Sequence, residues 1–218
     1  MQTPASAKAL STPARAKASN AKLASVLDDI LTSQISEASD RIASLIGICA
    51  ADNGDPTIGY EEVTEEFRIR CASSFLLNRF PIVSITSFTI DGVAVPVGEF
   101  TSAGRFGRIE LHETDLYPRY ETGLVAIRYF AGWFLPSMSG YPTLPSAPPA
   151  PPKLLPDAIE LAVFDCLCAL KDDQSRDMGL REEQSDEVDR FVYFGGGAAT
   201  QTWRTVEKRI APYIRTII

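Results

Sequence analysis

Hydrophobic residues recur at three- and four-residue intervals within residues 22–46, and this spacing predicts a long amphipathic helix there. The same spacing returns after Pro156, where a proline followed by an acid is typical of a helix start. It predicts a helix over about residues 156–190. The residues that set the two patterns are Leu23, Val26, Leu27, Ile30, Leu31, Ile35, Ala38, Ile42, Leu45 and Ile46, and then Ile159, Ala162, Val163, Cys166, Leu167 and Leu170.

A further helix is predicted over residues 61–79. Acids cluster at its start, where they stabilise the positive end of a helix dipole. Pro81 lacks an N–H and disfavours helical dihedrals in the residue before it, so the helix is expected to end near Arg79. The N-terminal acids are Glu61, Glu62, Glu65 and Glu66.

The pattern changes to strands after Pro81. Residues 82–90 are rich in β-branched and aromatic side chains, and Asp91-Gly92 supplies the two positive-φ positions of a type I′ hairpin turn. Residues 108–112 and 124–130 are two more strand-like runs, with Val125, Ile127 and Tyr129 on one face of the second. Together these runs predict a β-insertion over residues 82–134, a small antiparallel sheet of about four strands.

Two segments, residues 1–20 and 195–218, are predicted to lie outside a core that spans residues 21–194, and a Pro-rich loop is predicted within that core. Residues 1–20 are predicted to be a flexible basic arm because they contain too few apolar side chains to order themselves. Residues 141–156 form a Pro-rich loop, and residues 195–218 begin with three glycines and continue as an apolar-rich tail. The fold expected is therefore α+β, mainly α: a helical bundle with an inserted small antiparallel sheet, a mobile N-terminal arm and an extended C-terminal tail.

The charge and the cysteine spacing exclude several classes of function. The net charge is −7, although residues 1–27 carry four basic residues and no acid. An acidic body repels nucleic acid, and no apolar run is long enough for a secretory signal or a membrane span. The cysteines have no zinc-ligand spacing and are expected to be reduced thiols. They are Cys49, Cys71, Cys166 and Cys168.

Candidate catalytic chemistry is sparse. His112 is the single histidine, and a hydrolase that uses it with Glu110 or Glu113 is one alternative. No nucleophile elbow, phosphate loop or dinucleotide fingerprint is present. A second alternative is a soluble binding module whose Pro-rich segment docks into an aromatic groove. We therefore expect a protein that is not an enzyme and that holds no cofactor and no metal.

Several motifs, taken in order, resemble the head-to-tail adaptor (connector) proteins of long-tailed bacteriophages and phage-like gene transfer particles. The resemblance covers most of residues 25–218. Its most specific parts are the Arg-Phe-Pro to Asp-Gly tract and the later Tyr-Phe-Ala-Gly-Trp and Leu-Pro-Asp-Ala motifs. The segments that carry it are 76–81, 82–88, 90–93, 125–133, 155–159 and 210–215.

The resemblance implies a virion protein of the neck, assembled in the host cytoplasm as a dodecameric homo-oligomeric ring. The portal protein would lie above it, stopper or tail proteins below it, and double-stranded DNA would pass through it without stable binding; no membrane is involved. Another neck or tail ring protein, a stopper or a terminator, is the alternative within this class.

The resemblance also implies that the C-terminal segment reaches into the portal. Gly195, Gly196 and Gly197 would be its hinge, and its aromatic, aliphatic and arginine residues have the composition of buried interface anchors. The expected portal-binding residues are Trp203, Arg204, Val206, Arg209, Ile210, Tyr213, Ile214, Arg215, Ile217 and Ile218.

Acidic residues follow the apolar positions of the helix predicted over residues 156–190. Their charge suits the wall of a DNA channel. A wall of negative charge repels phosphates and lets DNA slide. The possible channel-facing acids are Asp172, Asp173, Asp177, Glu182 and Glu183.

Overall fold

The computed structural model describes residues 8–47, 57–70, 73–112, 122–144, 151–180 and 198–214, without the side chains of residues 70, 103, 122, 172–180 and 198–203. The chain divides into two compact units. The helical unit is formed by residues 1–46 together with residues 155–218, and the β unit is formed by residues 47–154.

Helices α1 (Pro13–Ser19) and α2 (Asp28–Ile46) form the N-terminal half of the helical unit. Thr12 caps α1 by accepting a hydrogen bond from the Arg15 N–H, and Pro13 occupies the first turn, where its missing N–H costs nothing. One face of α2 is buried as its spacing predicted from Leu31 onward, whereas Leu27 and Ile30 of the predicted stripe are exposed. Its buried residues are Leu31, Ile35, Ala38, Ser39, Ile42, Ala43 and Ile46.

Helices α3 (Asp157–Leu180) and α4 (Ala198–Ile210) complete this unit, and a short 3-10 turn (Ala211–Tyr213) follows α4. Asp157 and Glu160 lie in the first turn of α3, where acids suit the helix dipole. The predicted apolar face of α3 is buried, and α4 packs against α3. The helices predicted over residues 22–46 and 156–190 are confirmed within Asp28–Ile46 and Asp157–Leu180.

The described residues of the β unit form nine strands: β1 (Glu61–Arg70), β2 (Ser74–Leu76), β3 (Ile82–Ile90), β4 (Val93–Ala94), β5 (Phe100–Ala103), β6 (Arg108–Leu111), β7 (Thr122–Ala131), β8 (Trp133–Phe134) and β9 (Lys153–Leu154). Antiparallel pairing gives a four-stranded sheet in the order β1-β7-β3-β4 and a three-stranded sheet in the order β2-β6-β5. Strands β8 and β9 form a short parallel pair.

A row of phenylalanine rings joins these two larger sheets. Phe75 of β2 meets Phe67 of β1 and Phe88 of β3 edge to face, with ring centroids 5.3 and 5.9 Å apart. Phe88 also meets Phe100 of β5, at 5.2 Å. Edge-to-face contacts of this kind stabilise a core beyond the area they bury. The row therefore closes the core between the sheets.

The hairpin predicted at Asp91-Gly92 is confirmed. Asp91 and Gly92 have φ angles of 51° and 78°, as a type I′ turn requires. The side chain of Asp91 accepts a hydrogen bond from the Leu124 N–H at 2.8 Å, which ties the turn to β7. Val125, Ile127 and Tyr129 of β7 are buried on one face, as their alternation predicted.

Gly132 allows the chain to leave β7 close to another backbone segment. Its φ angle is 103°, and a Cβ atom there would lie 2.2 Å from the carbonyl oxygen of Gly59. This approach lets the Trp133 N–H donate to the Ile58 oxygen at 2.9 Å and the Tyr60 N–H donate to the Trp133 oxygen at 2.8 Å. Glycine is the residue that fits here.

The prediction of a mainly α helical bundle is wrong. About 39% of the chain is helix and about 30% is strand, so sheets and helices contribute comparably. The largest difference falls on residues 61–79, which were predicted to be helical and instead form β1 and β2. Val63, Phe67 and Ile69 alternate with exposed polar residues, and pairing with β7 outweighs the favourable charge of glutamates at a helix start.

The predictions of a mobile N-terminal arm and an extended C-terminal tail are also wrong for the described residues. Leu10, Ala16 and Leu23 are buried in the helical unit, and residues 13–19 are the helix α1. Residues 198–210 of the tail are the helix α4. Residues 1–7 and 215–218 lie outside the described part of the chain.

Candidate functional site

The C-terminal helix α4 carries five of the ten residues that were predicted to contact a portal. Val206 and Ile210, four residues apart, are completely buried against the helical unit. Arg204 and Lys208 are exposed. The described part of the helix is therefore amphipathic: Val206 and Ile210 belong to the core of its own unit, and Arg204 and Lys208 face outward.

Arg209 fastens α4 to α3. Its Nε atom donates to Asp165 Oδ2 at 2.6 Å, and both side chains are partly exposed. Ion pairs at this level of exposure stabilise a fold weakly, because water screens them. The guanidinium of Arg209 is thus engaged within the helical unit, unlike the exposed Arg204 on the same helix.

The chain after α4 keeps two predicted contact residues near the surface. Tyr213 and Ile214 are half-buried, at the end of the 3-10 turn. Trp203 lies on α4. The other predicted portal-binding and hinge residues lie outside the described residues: Arg215, Ile217 and Ile218, and Gly195, Gly196 and Gly197.

The predicted channel-facing acids divide between described and undescribed chain. Asp172, Asp173 and Asp177 lie on the second half of α3. Glu182 and Glu183 lie outside the described residues.

His112 is held at the surface by two hydrogen bonds. Because a carbonyl oxygen only accepts, Nδ1 donates to the Gly98 oxygen at 3.0 Å, and Nε2 is hydrogen-bonded to the Thr101 hydroxyl at 2.5 Å. Glu110 pairs with Arg108 at 3.0 Å instead of with the imidazole, and Glu113 lies outside the described residues. The imidazole therefore links β5, β6 and the loop at Gly98.

The two ends of the Pro-rich tract are attached to the β unit. The Tyr141 ring stacks on Phe134 of β8, with centroids 6.1 Å apart. Lys153 and Leu154 form β9, which pairs with β8. Residues 145–150, the middle of the tract, lie outside the described chain.

A buried polar cluster in the β unit was not found from the sequence. The Tyr129 hydroxyl donates to the Glu65 carboxylate, which also accepts from the Asn78 N–H at 2.9 and 3.1 Å. The Arg79 N–H donates to the Tyr129 oxygen at 3.1 Å, and the Arg79 guanidinium donates to the Thr57 oxygen at 2.8 Å. Burial, and then the Glu65 carboxylate, raise the pKa of Tyr129 well above its usual range.

This cluster explains the Arg-Phe-Pro motif structurally. Arg79 and Phe80 are both buried, and the cluster anchors the backbone just before β3 begins. Only the pairing of β1 with β7 brings Glu65 to Tyr129, so no sequence-local signal joined them. The arrangement supplies hydrogen bonds to the buried Glu65 carboxylate and holds the backbone before β3 in place. It does not present a reactive group to solvent.

A second buried polar cluster lies in the helical unit. Arg15 Nε and Nη2 donate to Glu160 Oε1 and Oε2, each at 2.6 Å, and Ser11 donates to Glu160 Oε1 at 2.8 Å. The Glu160 side chain is 7% exposed, whereas that of Arg15 is 44% exposed. This two-point geometry is the strong form of an arginine–carboxylate contact.

Cys166 and Cys168 on α3 are free thiols, as expected, with Cys166 buried and Cys168 partly buried. Burial raises the pKa of Cys166 to about 11. Within the described residues, no three His, Cys, Asp or Glu side chains are grouped as metal ligands. No described helix has both the length and the apolar character needed to cross a bilayer.

A scan against known protein families finds no match to this chain, and a search of curated proteins finds no match either.

Proposed function

We propose that this chain is a structural virion protein, a head-to-tail adaptor that forms a dodecameric ring beneath the portal. In this proposal the portal protein lies above the ring, a stopper or tail protein lies below it, and double-stranded DNA passes through its channel. The protein has no catalytic role.

The ordered set of family-like motifs is the observation that carries this proposal. Each motif has a place where the chain changes from one element to the next. Arg79-Phe80-Pro81 joins β2 to β3, Gly132-Trp133 joins β7 to β8, and Pro156-Asp157 begins α3. Motifs at such joints fix how one element follows the next, and their order along the chain supports a role shared with the adaptors they resemble.

The outer face of α4 is proposed to contact the portal. Val206 and Ile210 are used within the helical unit, so the proposed contact rests on the exposed Arg204, together with the half-buried Tyr213 and Ile214. Arginine and tyrosine are enriched among the residues that dominate protein interfaces. The proposal therefore places the contact on an ordered basic helix and on the chain that follows it.

The acids Asp172, Asp173 and Asp177 of α3 are proposed to face the channel. Negative charge there would keep DNA from binding to the wall. Replacing Asp172, Asp173 and Asp177 by asparagine and measuring DNA retention and ejection tests this role. Unchanged retention and ejection would remove these acids from the channel.

Co-sedimentation of the purified protein with the cognate portal tests the proposal. Arg204→Glu reverses an exposed charge on α4 and should weaken portal binding at least tenfold, roughly the effect of losing an interface hot spot. Arg105→Glu, the same change at an exposed position in the turn between β5 and β6, is the matched control and should bind like the natural chain. A chain that does not sediment with portals contradicts the proposal.

A further inference from the structure

Strand β1 lies at one edge of the four-stranded sheet. Pairing with β7 is uninterrupted from Glu61, opposite Ala131, to Arg70, opposite Thr122. In the described chain, no strand pairs with β1 on the other side. An open edge of this length is a template for another strand, and proteins ordinarily cover or block such edges.

The hydrogen-bonding direction along β1 follows from the hairpin turn. The Asp91 N–H donates to the Leu124 oxygen at 2.8 Å, so the backbone polar groups of Leu124 point toward β3. These groups alternate along a strand, so those of Val125 point toward β1, where Phe67 lies opposite. The backbone groups of Glu66 and Arg68 therefore point outward. Within the described chain, no other backbone group and no side chain bonds to them.

Side-chain charge on the same edge is self-complementary. Glu66 and Arg68 are both exposed and, two residues apart, lie on the same face of the strand. Neither forms an ion pair with any described residue. Exposed groups of opposite charge at this spacing can be satisfied by an antiparallel copy of the same strand.

We propose that β1 pairs with β1 of a second copy of this chain, antiparallel and with the two-fold axis at Phe67. This register sets Glu66 opposite the second copy's Arg68, and Arg68 opposite its Glu66. Each of these pairs also exchanges two backbone hydrogen bonds, and the half-buried Phe67 rings meet at the axis.

Like charges exclude the neighbouring registers. An axis at Glu65 or at Glu66 places two identical carboxylates opposite each other, and an axis at Arg68 does the same with two guanidinium groups. The interface is isologous and closes at two copies. It therefore concerns the free protein and is independent of the proposed adaptor role.

Charge reversal at β1 tests the pairing by analytical ultracentrifugation over a range of concentrations. The natural chain should dimerise. Glu66→Arg alone sets arginine against arginine, and Arg68→Glu alone sets glutamate against glutamate, so each should weaken dimerisation at least about tenfold. Mixing the two single variants should restore a heterodimer, and the Glu66→Arg, Arg68→Glu double variant should dimerise again. Glu37→Arg, at an exposed position of α2, is the matched control and should dimerise normally.

Residue-resolved amide exchange separates the possible occupants of the edge. The amides of Glu66 and Arg68 should exchange quickly in dilute protein and slow as the dimer forms, whereas those of Glu65 and Phe67 should be protected throughout. The proposal is overturned if the protein is a monomer at every concentration. It is also overturned if the protein forms a dimer whose dissociation constant neither charge reversal changes. Edge amides already protected in the dilute monomer would also overturn it, because another segment of the same chain would then cover β1.

Discussion

Arg15 forms a two-point ion pair with Glu160, which lies far away in the sequence: two nitrogens of the Arg15 guanidinium donate to the two carboxylate oxygens of Glu160 at 2.6 Å. This contact joins α1 to the first turn of α3. Glu160 is buried, and Ser11 supplies its further hydrogen bond. The N-terminal segment is therefore an integral part of the helical unit.

Removing this arginine should destabilise the helical unit. Arg15→Ala leaves a buried carboxylate with one described side-chain donor, and we expect a loss of about 1–3 kcal/mol in the free energy of unfolding. Arg15→Lys should recover part of it, because an ammonium keeps the charge but not the two-point geometry. Urea denaturation measures both. Lys208→Ala, at an exposed basic position on α4, is the control; an equal loss there would contradict a specific role for Arg15.

Tyr129 and Glu65 should be energetically coupled. Tyr129→Phe removes the hydroxyl that donates to the buried carboxylate, with an expected cost of about 1.5–3 kcal/mol for a bond to a charged group. Glu65→Gln should cost a similar amount, and the double variant should cost less than the sum. A double-mutant cycle measures this difference. Strict additivity would show that the two groups do not interact.

Alkaline pH should destabilise the protein through Cys166. Its folded-state pKa of about 11 lies above the ordinary 9.0, because burial disfavours the thiolate. The buried, protonated thiol of Cys166 therefore makes its full contribution to the free energy of unfolding below about pH 9. This contribution is lost as the pH rises toward 11, and the loss is at most about 3 kcal/mol. The pKa of Tyr129 is raised too, so this phenol adds a loss of the same sign.

Free energies of unfolding of the natural chain and of two cysteine variants, measured between pH 8 and pH 11, separate the contribution of the Cys166 thiol from the others. Cys166→Ala should have the shallower decline with pH, whereas Cys168→Ala should retain the decline of the natural chain. Equal slopes in all three proteins would show that ionisation of Cys166 is not linked to folding.

A side chain at Gly92 should destabilise the hairpin turn. Gly92→Ala meets no neighbouring atom, but its φ angle of 78° is strained for alanine, so we expect a loss of about 1–2 kcal/mol. Gly98→Ala also meets open space and has no such φ angle, so it should cost little. Thermal unfolding of the two variants compares them. Equal melting temperatures would contradict the turn geometry.

Local signals explain what the sequence predicted correctly. The Asp91-Gly92 turn, the alternation of Val125, Ile127 and Tyr129 and the apolar spacing of α2 all act over a few residues. In β1 the alternation was obscured because its inward face includes Glu65, a carboxylate that only Tyr129 and the Asn78 N–H make tolerable there. The partners lie far along the chain, so the acids of β1 resembled a helix start.

Long-range contacts explain the other errors. Residues 8–20 contain few apolar side chains, and their order depends on Glu160, which is distant in sequence. The candidate site shows the same limit: the composition of the tail identified Val206 and Ile210 as apolar anchors, but composition does not say which surface they cover. The structure places them within the helical unit and leaves Arg204 outside.

Electron microscopy of the cognate portal, imaged alone and with an excess of this protein, tests the adaptor role most directly. The account predicts an added dodecameric ring on the tail-facing side of the portal, with a continuous central channel. Portal particles that remain unchanged in the presence of the folded protein would contradict it.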